Sequence, residues 1–75
     1  MNEIKDIRTL QEELRKEQEE LVDKIVNLKN FLNKEDIVLY IGERQYELLK
    51  RQLRYMLEYD NVLNLRIKDL FTNNI

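Results

Sequence analysis

Ile7, Leu14, Leu21 and Leu28 stand seven residues apart, and Ile4, Gln11, Gln18, Ile25 and Leu32 form a companion series. Together they give the alternating three- and four-residue spacing that lines up side chains on one stripe of a helix. The repeat returns further on: Leu49, Met56, Leu63 and Leu70 make one series, and Tyr46, Leu53, Asp60 and Ile67 the other. A chain that carries this pattern twice, in stretches of about thirty residues each, is set up to fold as two long helices packed along their apolar lines.

Composition closes off the alternatives. Proline is absent and Gly42 is the single glycine. Strand-rich domains need clustered turn residues, whereas Asn and Asp are here scattered through periodic stretches. The spacing predicts one all-α domain, an antiparallel helical hairpin. Its helices cover about residues 3–32 and 43–71, joined by a short helical turn over about 34–40, and the tail from Thr72 frays.

The connecting segment "NKEDIVLYIGE" allows two readings. Ile37, Val38, Leu39, Tyr40 and Ile41 are strand-like in type, but a lone strand has no pairing partner in this chain. A helical turn is the expectation, with Asn33 and Asp36 as a capping-box-like pair. Gly42 then serves as the N-cap of the second helix or supplies a positive φ for the change of direction.

Three positions interrupt the seam. Gln11 and Gln18 make a wet or register-setting polar layer on the first helix. Asp60 sits in the second seam, where a carboxylate must meet water, an Arg or a Lys.

Charge and residue inventory exclude several functions. The formal net charge is −2, with both signs interspersed in 37% of the residues. That describes a solvated helix surface, not the one-sided basic footprint of a protein that binds a nucleic-acid polymer. No apolar run approaches the ~20 residues of a membrane span, and the N-terminus lacks the apolar region of a signal peptide. A cytoplasmic protein is expected. With no His, Cys or Ser in the sequence, the common nucleophile–base pairs and thiolate or imidazole metal sites are unavailable. The expectation is a protein that is not an enzyme and holds no cofactor or metal.

Apolar residues outnumber the seam positions. Leu48, Tyr55, Tyr59 and Val62 lie on a second stripe of the second helix, rotated away from the first. Val22, Val26 and Phe31 stand off the seam of the first. A hairpin hides one stripe per helix, and a chain of 75 residues is too short for a generous core of its own. Copies of the same chain are the cheapest cover, so a homo-oligomer is expected.

Two features suit an anionic ligand in grooves between such copies. The start of the second helix offers free N–H groups, Arg44 in its first turn, and flanking Tyr40 and Tyr46. Further along, Arg51, Tyr55 and Tyr59 share a face on which a planar anion can be stacked and clamped.

The stretches "LQEELRKEQEELVDKIVNLKNFL" and "ERQYELLKRQLRYMLEYDNVLNLRI" resemble the helical hairpin shared by small phage anti-CBASS and anti-Thoeris sponge proteins. The likeness covers about residues 10–70 and rests on the heptads and on "ELLKRQL". It implies a phage-encoded protein of the infected bacterial cytoplasm. Such a protein captures cyclic nucleotide immune signals between protomers of a trimer or a trimer-based hexamer, without cutting them. Under that resemblance Arg44, ahead of "YELLK", matches a basic residue lining a trimer-axis pocket. Arg15, in "ELRKEQEEL", matches a basic position that meets phosphate in a second pocket. The sponges place an aromatic ahead of the first long helix, and this chain has none before Phe31. Abundant Ile, Asn and Lys with no Ala fit an AT-rich genome. Two other classes remain open at this stage: a protein-binding inhibitor of the anti-CRISPR kind, using the Leu48–Tyr55–Tyr59–Val62 stripe, and a purely structural coiled-coil oligomerisation module.

Overall fold

The protein was analysed as a computed structural model describing residues 6–72. The chain runs α1 (Ile7–Leu32), α2 (Ile37–Ile41) and α3 (Glu43–Thr72), and the described residues contain no strand. The segment that was open between turn and strand is therefore a short α-helix. Ile4, the expected helical start near residue 3, and the tail beyond Thr72 lie outside the described residues.

α1 begins at Asp6, whose backbone is non-helical and whose Oδ1 accepts from the Arg8 N–H at 3.4 Å. An aspartate at this position satisfies one of the N–H groups that every helix start leaves unpaired. At the other end the Asn33 N–H donates to the Lys29 carbonyl at 3.1 Å. The capping-box reading of Asn33 and Asp36 is corrected here. Asn33 closes α1, and Asp36 sits at φ 62° in the left-handed region with no side-chain capping bond. The chain must reverse direction between two helices within a few residues, and that needs a left-handed residue. A short polar side chain such as Asp tolerates the conformation where a β-branched one does not.

Gly42 does both tasks expected of it. Its N–H donates to the Val38 carbonyl at 2.7 Å, ending α2, and its carbonyl accepts from the Tyr46 N–H at 3.0 Å, starting α3. Its φ of 87° with ψ 156° is a region open essentially to glycine alone.

The helices α1 and α3 pack antiparallel. Leu14, Leu21 and Ile25 meet Leu63 and Ile67, with Leu10, Leu53, Met56 and Leu70 partly buried around them. Leu63, at 0% exposure, is the centre. Every described seam position named from the heptads is buried or half-buried. α2 folds back on α3, and its Ile37 is buried.

Two of the three polar interruptions face each other across the seam: Gln18 Nε2 donates to Asp60 Oδ1 at 3.2 Å. The side-chain partner of Asp60 is thus an amide, where an Arg or a Lys was one expectation; half-buried, Asp60 also keeps the access to water that was the other. A carboxylate opposite an amide donor forms a polar layer that disfavours a slip setting Asp60 against Ile25, while Gln11, one heptad before Gln18, offers a second amide in the opposite direction.

The result is a rod of 52 × 27 × 16 Å with a radius of gyration of 16.9 Å, against about 11 Å for a compact chain of this length. Its accessible surface is 6253 Å², about a quarter more than the roughly 5,000 Å² normal for a folded monomer of this mass.

Two outcomes follow from this geometry. A Cβ built at Gly42 meets nothing within 4 Å, so Gly42→Ala costs backbone strain alone, about 1–3 kcal/mol in urea unfolding. A change below a few tenths of a kcal/mol would contradict the positive φ. A double-mutant cycle of Gln18→Leu and Asp60→Leu shows coupling of about 0.5–1.5 kcal/mol, and the double variant is at least as stable as the parent. Additive losses would mean that the two groups do not interact.

Candidate functional site

Residues 48, 51, 52, 55, 56 and 59 recur at three- and four-residue steps, so a helix gathers them on one face. On α3 they line a shallow groove of about 590 Å³, with Leu48 and Met56 as apolar floor and Arg51, Gln52, Tyr55 and Tyr59 as its polar and aromatic walls. Tyr55 and Tyr59 are 57% and 44% exposed. The Arg54 guanidinium lies 5.5 Å from the Tyr55 ring centre. The structure therefore brings together Arg51, Tyr55 and Tyr59 as the spacing predicted. Sequence reasoning missed Gln52 and Met56, although their offsets of one residue from Arg51 and Tyr55 hold the signal.

Chemically this face offers flat aromatic area beside guanidinium donors. That combination suits a planar or ring-bearing anion: rings stack on tyrosine, and the guanidinium fork bonds phosphate oxygens. Among the described residues no group of three or more His, Cys, Asp or Glu gathers as a metal site.

The other predicted residues lie elsewhere. Arg44 stands exposed in the first turn of α3. Tyr46 is two residues on, which on a helix is roughly 200° away, so the two do not share a face. Tyr46 instead joins Lys29, Leu32, Asn33, Lys50 and Leu53 in a smaller groove of about 200 Å³. There the Lys50 ammonium sits 5.0 Å over its ring, and Lys50 also pairs with Glu47 at 3.3 Å. Tyr40, at 84% exposure, projects from α2.

Arg15 lies with its guanidinium carbon 4.9 Å from the centre of the Phe71 ring. Phe71 comes from the far end of the sequence, so it supplies beside Arg15 the kind of ring that no residue ahead of α1 provides. Stacking uses the face of the guanidinium and leaves its N–H edge available to an anion. Lys29 and Phe71 could be placed only by aligning the two helices antiparallel, which the repeats permit in several registers, whereas Lys50 lies one turn from Tyr46 on α3 itself.

A model of the Sequestin family matches the chain over residues 8–69, nearly the whole of the hairpin. No curated protein and no solved structure matches it.

The Arg15–Phe71 contact is open to test. Phe71→Leu lowers stability by about 0.5–1 kcal/mol, and the loss disappears in a chain already carrying Arg15→Met. A full loss in that background would assign the effect to ring packing alone.

Proposed function

The chain belongs to the Sequestin family, a family of phage sponges directed against bacterial defence, and from that premise we propose that it captures a cyclic nucleotide immune signal between protomers of a homo-oligomer. It is not an enzyme: it withdraws the signal by stoichiometric binding and breaks no bond. The site of action is the cytoplasm of the infected host. Among the described residues, no helix is long and apolar enough to cross a membrane.

The groove on α3 is the observation that carries this reading. Its volume of about 590 Å³ falls within the ~300–1,000 Å³ usual for small-molecule sites. Arg51 neutralises phosphate there, and Tyr55 and Tyr59 stack on bases. Arg44, Arg15 and Tyr46 serve further anion and ring contacts at the other protomer boundaries.

A groove lined by one helix covers only one side of a ligand, yet small-molecule sites bury ~70–90% of their occupant. A second protomer is needed to close it, and the surplus surface of the rod supports the same requirement. The assembly is a trimer-based hexamer. The Leu48–Tyr55–Tyr59–Val62 stripe, exposed at all but Leu48, also favours a second reading, in which this face blocks a host protein by offering a helix to its groove.

Titration calorimetry of the assembled protein with a panel of cyclic di- and trinucleotides tests the proposal. At least one gives saturable heat, and Arg51→Glu weakens that binding by at least about tenfold while the oligomeric mass is unchanged. Absence of heat and of any thermal shift across the whole panel overturns the reading and leaves the protein-blocking alternative.

A further inference from the structure

We propose that the hairpin has a second register, one heptad away, in which α1 slides toward the start of α3 and α2 joins α3 as one continuous helix through Gly42. The observed bend and the slid, straightened form are two packings of one sequence. This inference rests on the hairpin alone and not on signal capture.

The seam repeat of α3 does not stop where α3 starts. The series Tyr46, Leu53, Asp60 and Ile67 continues one heptad upstream to Leu39, and the series Leu49, Met56, Leu63 and Leu70 continues to Gly42. Leu39 is nevertheless 82% exposed, because the chain bends at Gly42 and carries α2 off the line of the rod. An apolar side chain that keeps the seam spacing but lies outside the seam belongs to a packing pattern the bend leaves unused.

In the observed register Gln18 faces Asp60 and Leu32 shares a groove with Tyr46. Sliding α1 by seven residues, ~10 Å, sets Gln11 opposite Asp60 and Leu32 opposite Leu39. The polar layer survives: Asp60 exchanges one glutamine for another, and in each register the second glutamine meets an apolar residue, Gln11 against Ile67 or Gln18 against Leu53. Leu28 comes to face Gly42, which has no side chain to obstruct it. Asn33–Asp36 remain as a connection of four residues, within the two to five that join antiparallel helices. Asp36 leaves the left-handed region, where its φ is 62°, and becomes the N-cap of the joined helix, a position that favours aspartate. Cover favours the observed register. The bend buries Ile37, and Ile67 and Leu70 keep α1 beside them, whereas the slide uncovers all three. The second register is thus the minor one. It hides Leu39 and parts Arg15 from Phe71, so a partner seated on Leu39 and Tyr40 holds the observed register.

The sequence contains no cysteine, so nitroxide labels at Lys24→Cys and Lys68→Cys, both exposed positions, read the register as a distance by pulsed electron resonance. Labelled chains are diluted into an excess of unlabelled ones, so that only distances within one chain are seen. The two positions are offset along the rod by ~21 Å in the observed register and ~32 Å in the second. With helix axes ~10 Å apart, the distance moves from roughly 23 Å to roughly 33 Å. In the otherwise native chain the short distance dominates. Gln18→Leu combined with Gly42→Ala removes the amide that holds the first register and places a better helix former at the join, and the long distance becomes the major one. Adding Gln11→Leu removes the second amide and lowers the long-distance population at least about fivefold. A short distance that persists in every variant overturns the proposal. A long distance that ignores Gln11→Leu also overturns it, since Asp60 has then found no second amide. Loss of helix by circular dichroism in the Gln18→Leu, Gly42→Ala chain overturns it too, because no second packing has received the chain. The nucleotide titration is read separately: a silent panel removes signal capture and leaves the register change standing.

Discussion

Two rods that touch along one line can hide one apolar stripe each, and this limit governs the whole molecule. The seam of α1 and α3 is used up by a small cluster centred on Leu63. Any further apolar side chain must face outward, because there is no second layer to receive it. α2 covers part of α3 with Ile37 but leaves Leu39 and Tyr40 more than four-fifths exposed. The same limit explains why the grooves described above are shallow: each is a dent along the rod. A protein built this way gains enclosed space only by pairing rods.

Within that frame the polar layer acts on specificity more than on stability. Apolar heptads are nearly indifferent to a shift of one repeat, because leucine meets leucine again. Gln18 opposite Asp60 is not indifferent to a shift that sets the carboxylate against Ile25, whereas a shift the other way brings Gln11 opposite it. The alignment it selects also sets which residues meet at the ends of the rod. Arg15 reaches Phe71, and Lys29 reaches the groove of Tyr46 and Lys50, only in that register.

Most of the fold was legible in the sequence because long helices write their contacts into a repeating pattern. The seam positions, the hinge at Gly42 and the α3 face with Arg51, Tyr55 and Tyr59 all follow from spacing within one helix. What could not be read depends on two helices at once, or on a local turn. The partner of Asp60, the ring beside Arg15 and the approach of Lys29 to Tyr46 require the register between α1 and α3. Asn33 and Asp36 were misassigned because a helix end and a helix start use the same residue types. Only the required chain reversal, with one left-handed residue to make it, decides between them.

Gly42 carries a consequence for how the molecule presents its most exposed apolar side chains. One helix ends on its N–H and the next begins on its carbonyl, so no slack chain lies between α2 and α3. Rotation about the φ and ψ of Gly42 leaves both bonds intact, so in this register the angle between the two helices is set by the packing of α2 on α3, with Ile37 buried. Leu39 and Tyr40 are therefore held at a set bearing to the rod, as on a bracket, and a surface that meets them also meets the first turn of α3 in a fixed orientation.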